Sequence, residues 1–324
     1  MCSRSRNTNF SDMEDPVSLH QKTVQKCAAI VLIFFSTFLS AADLLKTQIT
    51  NSSPCSSAQN DTAASMFLKK DGRYIHRAES ATGDLWNEMG HHGPAVENIW
   101  AGYRIYFDRK AAFDLYSKAR PGLELKQTKW YTSDKLKSAG FGSDLYWVGE
   151  SIGAGSIRLW EDGEVKQLHP VKNRIATVTT EGSISQLDLL SEGVPYAGRT
   201  VDLLIRLTVF SGHRYARIEA FVFSDQPVQL VTGLNHNPRL KLGESESHLL
   251  TWGRHKTEHE VGAALLFNPE DFVKKETREQ ERLLISRPTR YLRTWITTAS
   301  DLETEISNLD GFKAHVQKLR SELL

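Results

Sequence analysis

Residues Gly198 to Phe223 read "GRTVDLLIRLTVFSGHRYARIEAFVF" and carry the clearest strand signal in the chain. Two runs rich in Val, Ile, Leu and aromatic residues flank the tight turn "SGH", and apolar side chains alternate with polar ones in both runs. Alternation of this kind places the apolar side chains on one face of a strand. The stretch therefore predicts two antiparallel strands, over 199–210 and 213–223, that share one buried face.

Similar short runs continue along the chain, separated by turns such as "EDGE", "SEGVPYAG" and "FNPED". Further strands are predicted over 98–107, 123–131, 157–160, 173–180, 183–190, 228–236, 246–252, 261–267 and 289–297. No alternation of strand with helix and no internal repeat is visible. About ten alternating strands favour an all-β fold, a large antiparallel β-sandwich of the kind seen in lyases and mutarotases.

Helix is expected only at the edges of this sandwich. The segment "SATGDLWNEMG", residues 80–90, predicts a short N-terminal helix. Residues 300–324 have helical spacing of Leu and Ile, with Ser300 or Asp301 as the N-cap and Gly311 as a weak point. The sandwich is thus predicted to carry one short helix before it and one helix at its C-terminus.

The first 66 residues divide into two further segments. Residues 1–42 resemble a signal peptide or N-terminal anchor, because Lys22 and Lys26 precede an apolar run that ends before small residues. That run is shorter than the ~20 residues a spanning helix needs. Residues 43–66, rich in Ser, Thr and Asn, are predicted to be a flexible linker to a single domain over 67–324. We expect export to the periplasm or the extracellular space, with the chain either released or anchored by this segment.

Composition limits the possible partners. The chain has 324 residues and a net charge of +1, so no overall basic field would attract nucleic acid or an anionic membrane. An anionic ligand would have to be bound by local arginines. Of the three cysteines, Cys2 and Cys27 lie in or before the export segment, and its removal would leave Cys55 alone. No internal disulfide or thiolate metal cluster is therefore expected. No cofactor is predicted, and the sequence leaves open whether a divalent ion assists.

Two motifs are weighed and set aside. The pentapeptide "HKTEH", His255 to His259, matches the inverted zinc-protease pattern, which requires a helix that places both histidines on one face. Here it lies between two predicted strands, so a metal site is not predicted. The Gly-rich stretch "VGESIGAGS", residues 148–156, lacks the spacing and the following helix of a nucleotide-binding loop.

The segment "HHGPAVENIWAGYRIYF", His91 to Phe107, raises the question of a site. One face of its predicted strand is apolar, whereas the other carries polar and aromatic side chains: Asn98, Trp100, Gly102, Arg104 and Tyr106. Comparable rows occur on two other strands: His213, Tyr215, Arg217 and Glu219, and Tyr291, Arg293 and Trp295. Such rows form either solvated faces with cross-strand pairs or a shared binding face. Aromatic rings stack on sugars and arginines bind carboxylates, so the second interpretation favours an anionic carbohydrate.

Histidines at loops and strand ends are candidates for proton transfer near neutral pH. His91 and His92 precede a Gly-Pro turn, His213 follows the "SGH" turn, and His236 lies in "GLNHNP". A simple surface location is the alternative for each of them.

Five segments in order, "HHGPAVENIWAGYRIYFD", "GLELKQTKWY", "VGESIGAGSIRLW", "GRTVDLLIRLTVFSGHR" and "GLNHNP", resemble the secreted bacterial family known as domain of unknown function 4861. The resemblance covers Tyr74 to Trp295. The family is associated with marine polysaccharide breakdown and is similar to oligosaccharide dehydratases that act on ulvan. The resemblance implies a β-sandwich and a β-elimination, by a dehydratase or a lyase, on uronate-containing oligosaccharides.

Roles for individual residues follow from this resemblance and from the rows above. Arg104, helped by Asn98, is expected to stabilise the enolate-like state, while a histidine or tyrosine removes the proton next to the carboxylate. The predicted catalytic residues are His92, His213, Arg104 and Tyr106. The predicted substrate-binding residues are His91, Asn98, Trp100, Tyr103, Tyr215, Arg217, His236, Arg293 and Trp295. A non-catalytic carbohydrate-binding sandwich, or a mutarotase or hydrolase on the same scaffold, remains the alternative.

Overall fold

Antiparallel strands dominate residues 61–324, which are the residues that the computed structural model describes. The predicted export segment and most of the predicted linker lie outside these residues. The end of the predicted linker is folded, because Thr62–Ser65 forms strand β1 and Met66 is buried. The folded part thus begins by Thr62 rather than at residue 67.

The largest layer is a nine-stranded antiparallel sheet in the order β13-β14-β15-β18-β11-β10-β9-β8-β2. Its strands are β2 (Arg77–Ser80), β8 (Asn173–Glu181), β9 (Ile184–Tyr196), β10 (Arg199–Phe210), β11 (Tyr215–Phe223), β13 (Lys241–Glu244), β14 (His248–Arg254), β15 (Glu260–Phe267) and β18 (Tyr291–Ser300). Residues 198–223 contain β10 and β11, which pair with Arg206 opposite Glu219. The prediction of an antiparallel pair is confirmed.

Two smaller sheets pack against one face of this layer. The four-stranded sheet has the order β1-β3-β4-β5 and contains, besides β1, strands β3 (Ala95–Asn98), β4 (Ala101–Ile105) and β5 (Phe113–Ser117). The five-stranded sheet has the order β16-β17-β12-β6-β7. Its strands are β6 (Arg158–Glu161), β7 (Glu164–Lys166), β12 (Leu230–Asn235), β16 (Phe272–Thr277) and β17 (Glu281–Ser286). Isolated bridges through Gly153 and Ala154 connect the two.

The main core fills the space between the nine-stranded sheet and the smaller sheets. Alternate residues of β10, among them Leu203, Ile205 and Leu207, face it together with Tyr103 and Ile105 of β4. This is the two-layer packing of a β-sandwich, in which each sheet buries one face. The predicted all-β sandwich is confirmed.

Helices are few and short, apart from the last. Helix α1 (Leu125–Thr128) and helix α2 (Asp134–Ser138) lie in the connection after β5, and helix α3 (Leu309–Leu323) ends the chain. Phe312 of α3 packs against Trp252 on the outer face of the nine-stranded sheet, meaning the face turned away from the main core. No helix within the described range is long and apolar enough to cross a membrane.

Several local predictions were wrong. The chain turns at Ile99 and Trp100, so 98–107 contains parts of two strands, and 123–131 contains α1 instead of a strand. Residues 80–90 form turns rather than a helix, and only a 3₁₀ turn follows at Gly90–His92. Helix α3 begins after Asn308, whose side chain accepts a hydrogen bond from the Gly311 N–H. Gly311 therefore belongs to the helix cap and is not a weak point.

Strand β4 is buried on both faces, which the alternation of its sequence did not predict. Tyr103 and Ile105 face the main core, as expected. The opposite face is covered by the segment between β5 and residue 143, where Leu125 packs against Gly102 and Trp130 against Arg104. The polar row of β4 is thus enclosed by protein rather than by solvent.

Candidate active site

A cleft of about 480 Å³ opens where β4 and β5 end in irregular segments. The lining residues that matter below are Trp86, Tyr106, Lys110, Asp114, Trp147 and Lys256. Its volume lies in the range typical of pockets for small ligands. Its walls combine indole rings with ammonium and carboxylate groups.

A buried ion pair forms one end of the cleft. Arg104 on β4 faces Asp114 on β5, and its Nη2 donates to Asp114 Oδ2 at 2.6 Å. The Tyr106 hydroxyl donates to the same oxygen at 2.7 Å. The other donors of Arg104 are also used, since Nη1 donates to the His91 carbonyl at 3.2 Å and to the Tyr131 hydroxyl at 3.1 Å. The guanidinium therefore has no free fork for a ligand.

This network corrects two predicted catalytic roles. Arg104 cannot clamp a substrate carboxylate, because Asp114 already occupies its fork and the side chain is buried. Burial acts to lower the pKa of Arg104, but the Asp114 carboxylate acts to raise it. The net pKa of Arg104 is raised, so the guanidinium stays charged. Burial and the same carboxylate raise the pKa of Tyr106 far above its ordinary value. Tyr106 lines the cleft as a phenol that donates to Asp114 and cannot act as a base.

Tyr131 is the tyrosine that the site leaves available. It follows the buried Trp130, which lies 4.2 Å from the Arg104 guanidinium, and its own side chain is 55% exposed. Its hydroxyl accepts from Arg104, and its hydrogen has no partner among residues 61–324. A phenol hydroxyl can donate one hydrogen bond while its oxygen accepts another. Tyr131 can therefore give or take a proton at the end of the cleft.

His92 lies beside Tyr131, with the two rings 6.0 Å apart. It stacks on the cleft residue Trp86 at 3.8 Å, and its Nδ1 lies 2.8 Å from the Trp86 carbonyl oxygen. A carbonyl only accepts, so this contact assigns the hydrogen to Nδ1 and leaves the Nε2 lone pair without a partner among residues 61–324. Burial lowers the pKa of His92, and the charges of Lys69 and Arg104 act the same way. His92 is a neutral base at physiological pH.

The turn that carries His92 has unusual backbone geometry. His91 and His92 have φ of 57° and 58°, in the left-handed region that non-glycine residues seldom occupy. A Cβ on Gly93 would lie 2.0 Å from the Ile105 carbonyl oxygen, so only glycine lets this turn pack on β4. His91 points inward, where its Nε2 lies 3.1 Å from Ser65 Oγ, and burial lowers its pKa to about 3. His91 is a core residue and not a substrate-binding one.

Charged groups occupy the other wall of the cleft. Lys256 Nζ lies 2.9 Å from Asp144 Oδ2, and Lys110 Nζ lies 3.3 Å from Glu150 Oε1. Burial and the charge of Asp114 raise the pKa of Asp144 to about 6, although Lys256 pulls it the other way. Lys110 Nζ also donates to the Gly149 carbonyl oxygen at 3.0 Å. Two ammonium groups thus line the cleft, each with a carboxylate partner that a ligand carboxylate can replace.

Asn98, Trp100 and His213 lie near the start of β4, at the end opposite to Tyr106 and the cleft. Asn98 is buried and holds the turn, because its Oδ1 accepts from the backbone N–H groups of Trp100 and Ala101 at 2.9 Å. Its Nδ2 donates to the His213 carbonyl oxygen, and His213 itself is exposed on the β10–β11 turn. The length of β4 separates this end from Tyr106 by roughly 15–20 Å. His213, Asn98 and Trp100, which the sequence predicted as site residues, therefore lie away from this cleft.

Of the remaining predicted substrate-binding residues, only His236 lies near the cleft. Tyr103 is 1% exposed in the main core. Four residues lie on the outer face of the nine-stranded sheet, with Trp295 covered by α3: Tyr215, Arg217, Arg293 and Trp295. His236 stays near the cleft, because its N–H donates to the carbonyl of the lining residue Gln280 at 2.8 Å. The predicted shared face thus divides into the cleft and the outer face.

The metal motif has no helical context. Residues 255–259 form a bend between β14 and β15, in which His255 is buried and His259 Nδ1 lies 3.0 Å from Asp301. Within residues 61–324, no group of three His, Cys, Asp or Glu side chains is placed to hold a metal ion.

Sequence reasoning missed Tyr131, Asp114, Lys110 and Lys256. All four lie in irregular segments or on strands that were not predicted, and no local pattern shows that they meet. The segment "GLELKQTKWY", which ends at Tyr131, drew attention as part of the family resemblance. It was interpreted as a strand, which hid the position of its last residue.

The fold and the cleft together define a two-layer β-sandwich with a polar, tryptophan-lined pocket. The chain belongs to the family described as Domain of unknown function (DUF4861), whose model matches residues 32–324. No curated protein matches the chain.

Several solved structures resemble it distantly. One is a protein provisionally assigned as a kojibiose phosphorylase from the human microbiome, with 12% identity, a TM-score of 0.44, and coverage of 81% of this chain and 37% of that one. Another is provisionally assigned as an aldose 1-epimerase from Klebsiella pneumoniae, with 7% identity, a TM-score of 0.39, and coverage of 81% and 96%. A third is the heparan sulfate lyase HepC from Pedobacter heparinus, with 9% identity, a TM-score of 0.34, and coverage of 65% and 34%. At these TM-scores the similarity carries no inference about the activity of this chain.

Proposed function

We propose that this chain is an exported carbohydrate-active enzyme that performs β-elimination, as a dehydratase or lyase, on uronate-containing oligosaccharides. One observation carries the proposal. The neutral His92 and the free hydroxyl of Tyr131 lie together beside a cleft that presents lysine ammonium groups and indole rings. These are the groups that proton abstraction next to a carboxylate requires.

The carboxylate would be held by the lysines instead of by Arg104. Lys110 and Lys256 line the cleft and can exchange their present carboxylate partners for that of a uronate. Removal of the neighbouring proton builds negative charge on the substrate carboxylate, and two ammonium groups in place before the reaction stabilise it. Trp86 and Trp147 offer ring faces on which the sugar C–H groups can stack.

His92 and Tyr131 would transfer the protons. His92 Nε2 takes the proton from the carbon next to the carboxylate, the electron pair forms a carbon–carbon double bond, and the bond to the leaving oxygen breaks. Tyr131 donates its hydroxyl proton to that oxygen, which departs as water in a dehydratase or as a sugar hydroxyl in a lyase. Arg104 stabilises the resulting phenolate through its 3.1 Å hydrogen bond. Proton return from His92 to Tyr131 restores the starting state.

The test is ultraviolet absorbance of uronate oligosaccharides incubated with the protein. Elimination creates a double bond conjugated with the carboxylate, whereas binding, hydrolysis and anomer interconversion do not. Mass spectrometry then separates loss of water from chain cleavage. Binding without an absorbance change would instead support a non-catalytic carbohydrate-binding protein.

One observation favours a hydrolase as the second candidate. Arg104 Nη2 lies 2.6 Å from Asp114 and 3.8 Å from Asp144, so the two carboxyl groups are neighbours. Burial and the charge of Asp114 raise the pKa of Asp144 to about 6. Carboxyl groups in contrasting environments are typical of acid–base pairs that cleave glycosidic bonds. New reducing ends without ultraviolet absorbance would decide for this candidate.

A further inference from the structure

A second cavity, of about 580 Å³, adjoins the residues on either side of Trp86 in the sequence. It is lined by Leu68, Lys69, Lys70, Leu85, Asn87 and Glu88. Two leucines give it an apolar wall, and two lysines border it. None of its lining residues takes part in the mechanism above.

Lys69 connects this cavity with the cleft. Its Nζ donates to the Trp86 carbonyl oxygen at 3.4 Å and lies 3.3 Å from Nδ1 of His92. Lys69, which lines the second cavity, thus contacts the stacked pair of Trp86 and His92, and Trp86 lines the cleft. An oligosaccharide whose reacting sugar lies in the cleft can extend past Trp86 and His92 into the second cavity.

The surface around the second cavity is cationic. Lys129 Nζ lies 5.6 Å above the Phe67 ring, and the Tyr74 hydroxyl contacts the Lys126 carbonyl, so α1 adjoins the segment that carries Lys69 and Lys70. Among the ion pairs within the described residues, none involves Lys70, Lys126 or Lys129.

Acidic groups on this surface are fewer. Glu88 borders the cavity, and Asp71 is occupied by Arg73 at 3.7 Å. Because cations outnumber acids and three lysines have no partner, the surface attracts negative charge.

We propose that the second cavity, with Lys70, Lys126 and Lys129 around it, is a further subsite for the next units of an anionic oligosaccharide. The inference rests on the proposed function, which places the reacting uronate in the cleft. The leucines would contact the C–H face of a sugar, and the lysines its carboxylate or sulfate groups. The protein would then prefer chains that extend beyond the reacting sugar, and this preference would weaken with salt.

Isothermal titration calorimetry with a galacturonate dimer and a galacturonate hexamer tests the subsite. The variant Lys70→Gln/Lys126→Gln/Lys129→Gln removes the unpaired charges. The matched control, Lys172→Gln/Lys241→Gln/Lys313→Gln, removes three exposed lysines that also have no ion pair and lie elsewhere. We expect the ratio of hexamer to dimer affinity to fall about fivefold in the first variant at low salt, and the control to keep the wild-type ratio.

The outcomes separate this inference from the proposed function. An equal ratio in both variants, or no binding of the hexamer, would overturn the subsite even if elimination occurs. Lysine-dependent binding of the hexamer without any ultraviolet absorbance would keep the subsite and contradict the elimination. Circular dichroism of both variants confirms that the exposed substitutions leave the fold intact.

Discussion

Two cross-strand pairs of arginine and aspartate have the same chemistry and different surroundings. Arg104 faces Asp114 across β4 and β5, and Arg206 faces Asp188 across β10 and β9. The side chains of the first pair are 3% and 2% exposed, whereas those of the second are 32% and 18% exposed. The first pair holds Tyr106 and Tyr131 at the cleft, and the second stays on the outer face. Burial, rather than residue type, makes such a pair part of a site.

The largest expected difference between the pairs is in stability. Asp114→Asn would leave the buried Arg104 without its countercharge and should lower the free energy of unfolding by about 3–5 kcal/mol. Asp188→Asn should cost less than about 1 kcal/mol, because solvent screens Arg206. Urea denaturation of both variants measures the difference, and similar losses would show that the two pairs are equivalent.

Removal of a tyrosine hydroxyl should reduce turnover at the cleft but not on the outer face of the nine-stranded sheet. Tyr131→Phe keeps the ring and removes the proposed acid, so turnover of a uronate oligosaccharide should fall by about 10²–10⁴-fold. Tyr291→Phe is the matched control on the outer face, where the hydroxyl donates to Glu219 at 2.7 Å. Its turnover should equal that of the wild type, and a similar loss in both variants would remove Tyr131 from the mechanism.

The histidines give a parallel contrast. His92→Asn suits the left-handed backbone at φ 58°, which asparagine tolerates, but removes the base. We expect turnover to fall by about 10²-fold or more. His213→Asn changes an exposed turn and should leave turnover intact. A loss of turnover in His213→Asn but not in His92→Asn would instead place the base at the β10–β11 turn.

The smallest expected effect concerns Asp144 and pH. Its pKa is raised from 3.8 to about 6 in the folded protein, so its ionised form opposes folding above about pH 6, and this cost disappears as the pH falls toward 3.8. Asp144→Asn should therefore increase thermal stability relative to the wild type at pH 8 more than at pH 4. A stability difference that is independent of pH would show that Lys256 fully balances the carboxylate.

The sequence predicted the large sheet well, for a physical reason. Strands such as β10 and β11 bury one face, so their alternating side chains indicate both that a strand forms and which of its residues face the core. Strand β5 is buried on both faces and β16 is mostly polar at a sheet edge, and neither shows such a pattern. The family and the sandwich were thus predictable, whereas β5, the strand that brings Asp114 to the cleft, was not.

The site was less predictable, because it depends on distant segments that meet. Arg104 and Tyr106 stand out in the sequence as a polar and an aromatic residue in an alternating run, but only the structure shows that Asp114 accepts hydrogen bonds from both. Tyr131 acquires its importance from Arg104, which lies 27 residues earlier in the chain. The polar and aromatic side chains of β4 are buried, whereas those of β11 and β18 lie on the outer face of the nine-stranded sheet. Alternation could not distinguish these two environments, because the three strands have similar sequence patterns.

A crystal structure of the Tyr131→Phe variant with a bound uronate oligosaccharide tests the central claim most directly. The account predicts a carboxylate within hydrogen-bond distance of Lys110 or Lys256 and a sugar ring against Trp86 or Trp147. A sugar bound instead to the outer face, against Phe221 and Tyr291, with the cleft empty, would contradict it.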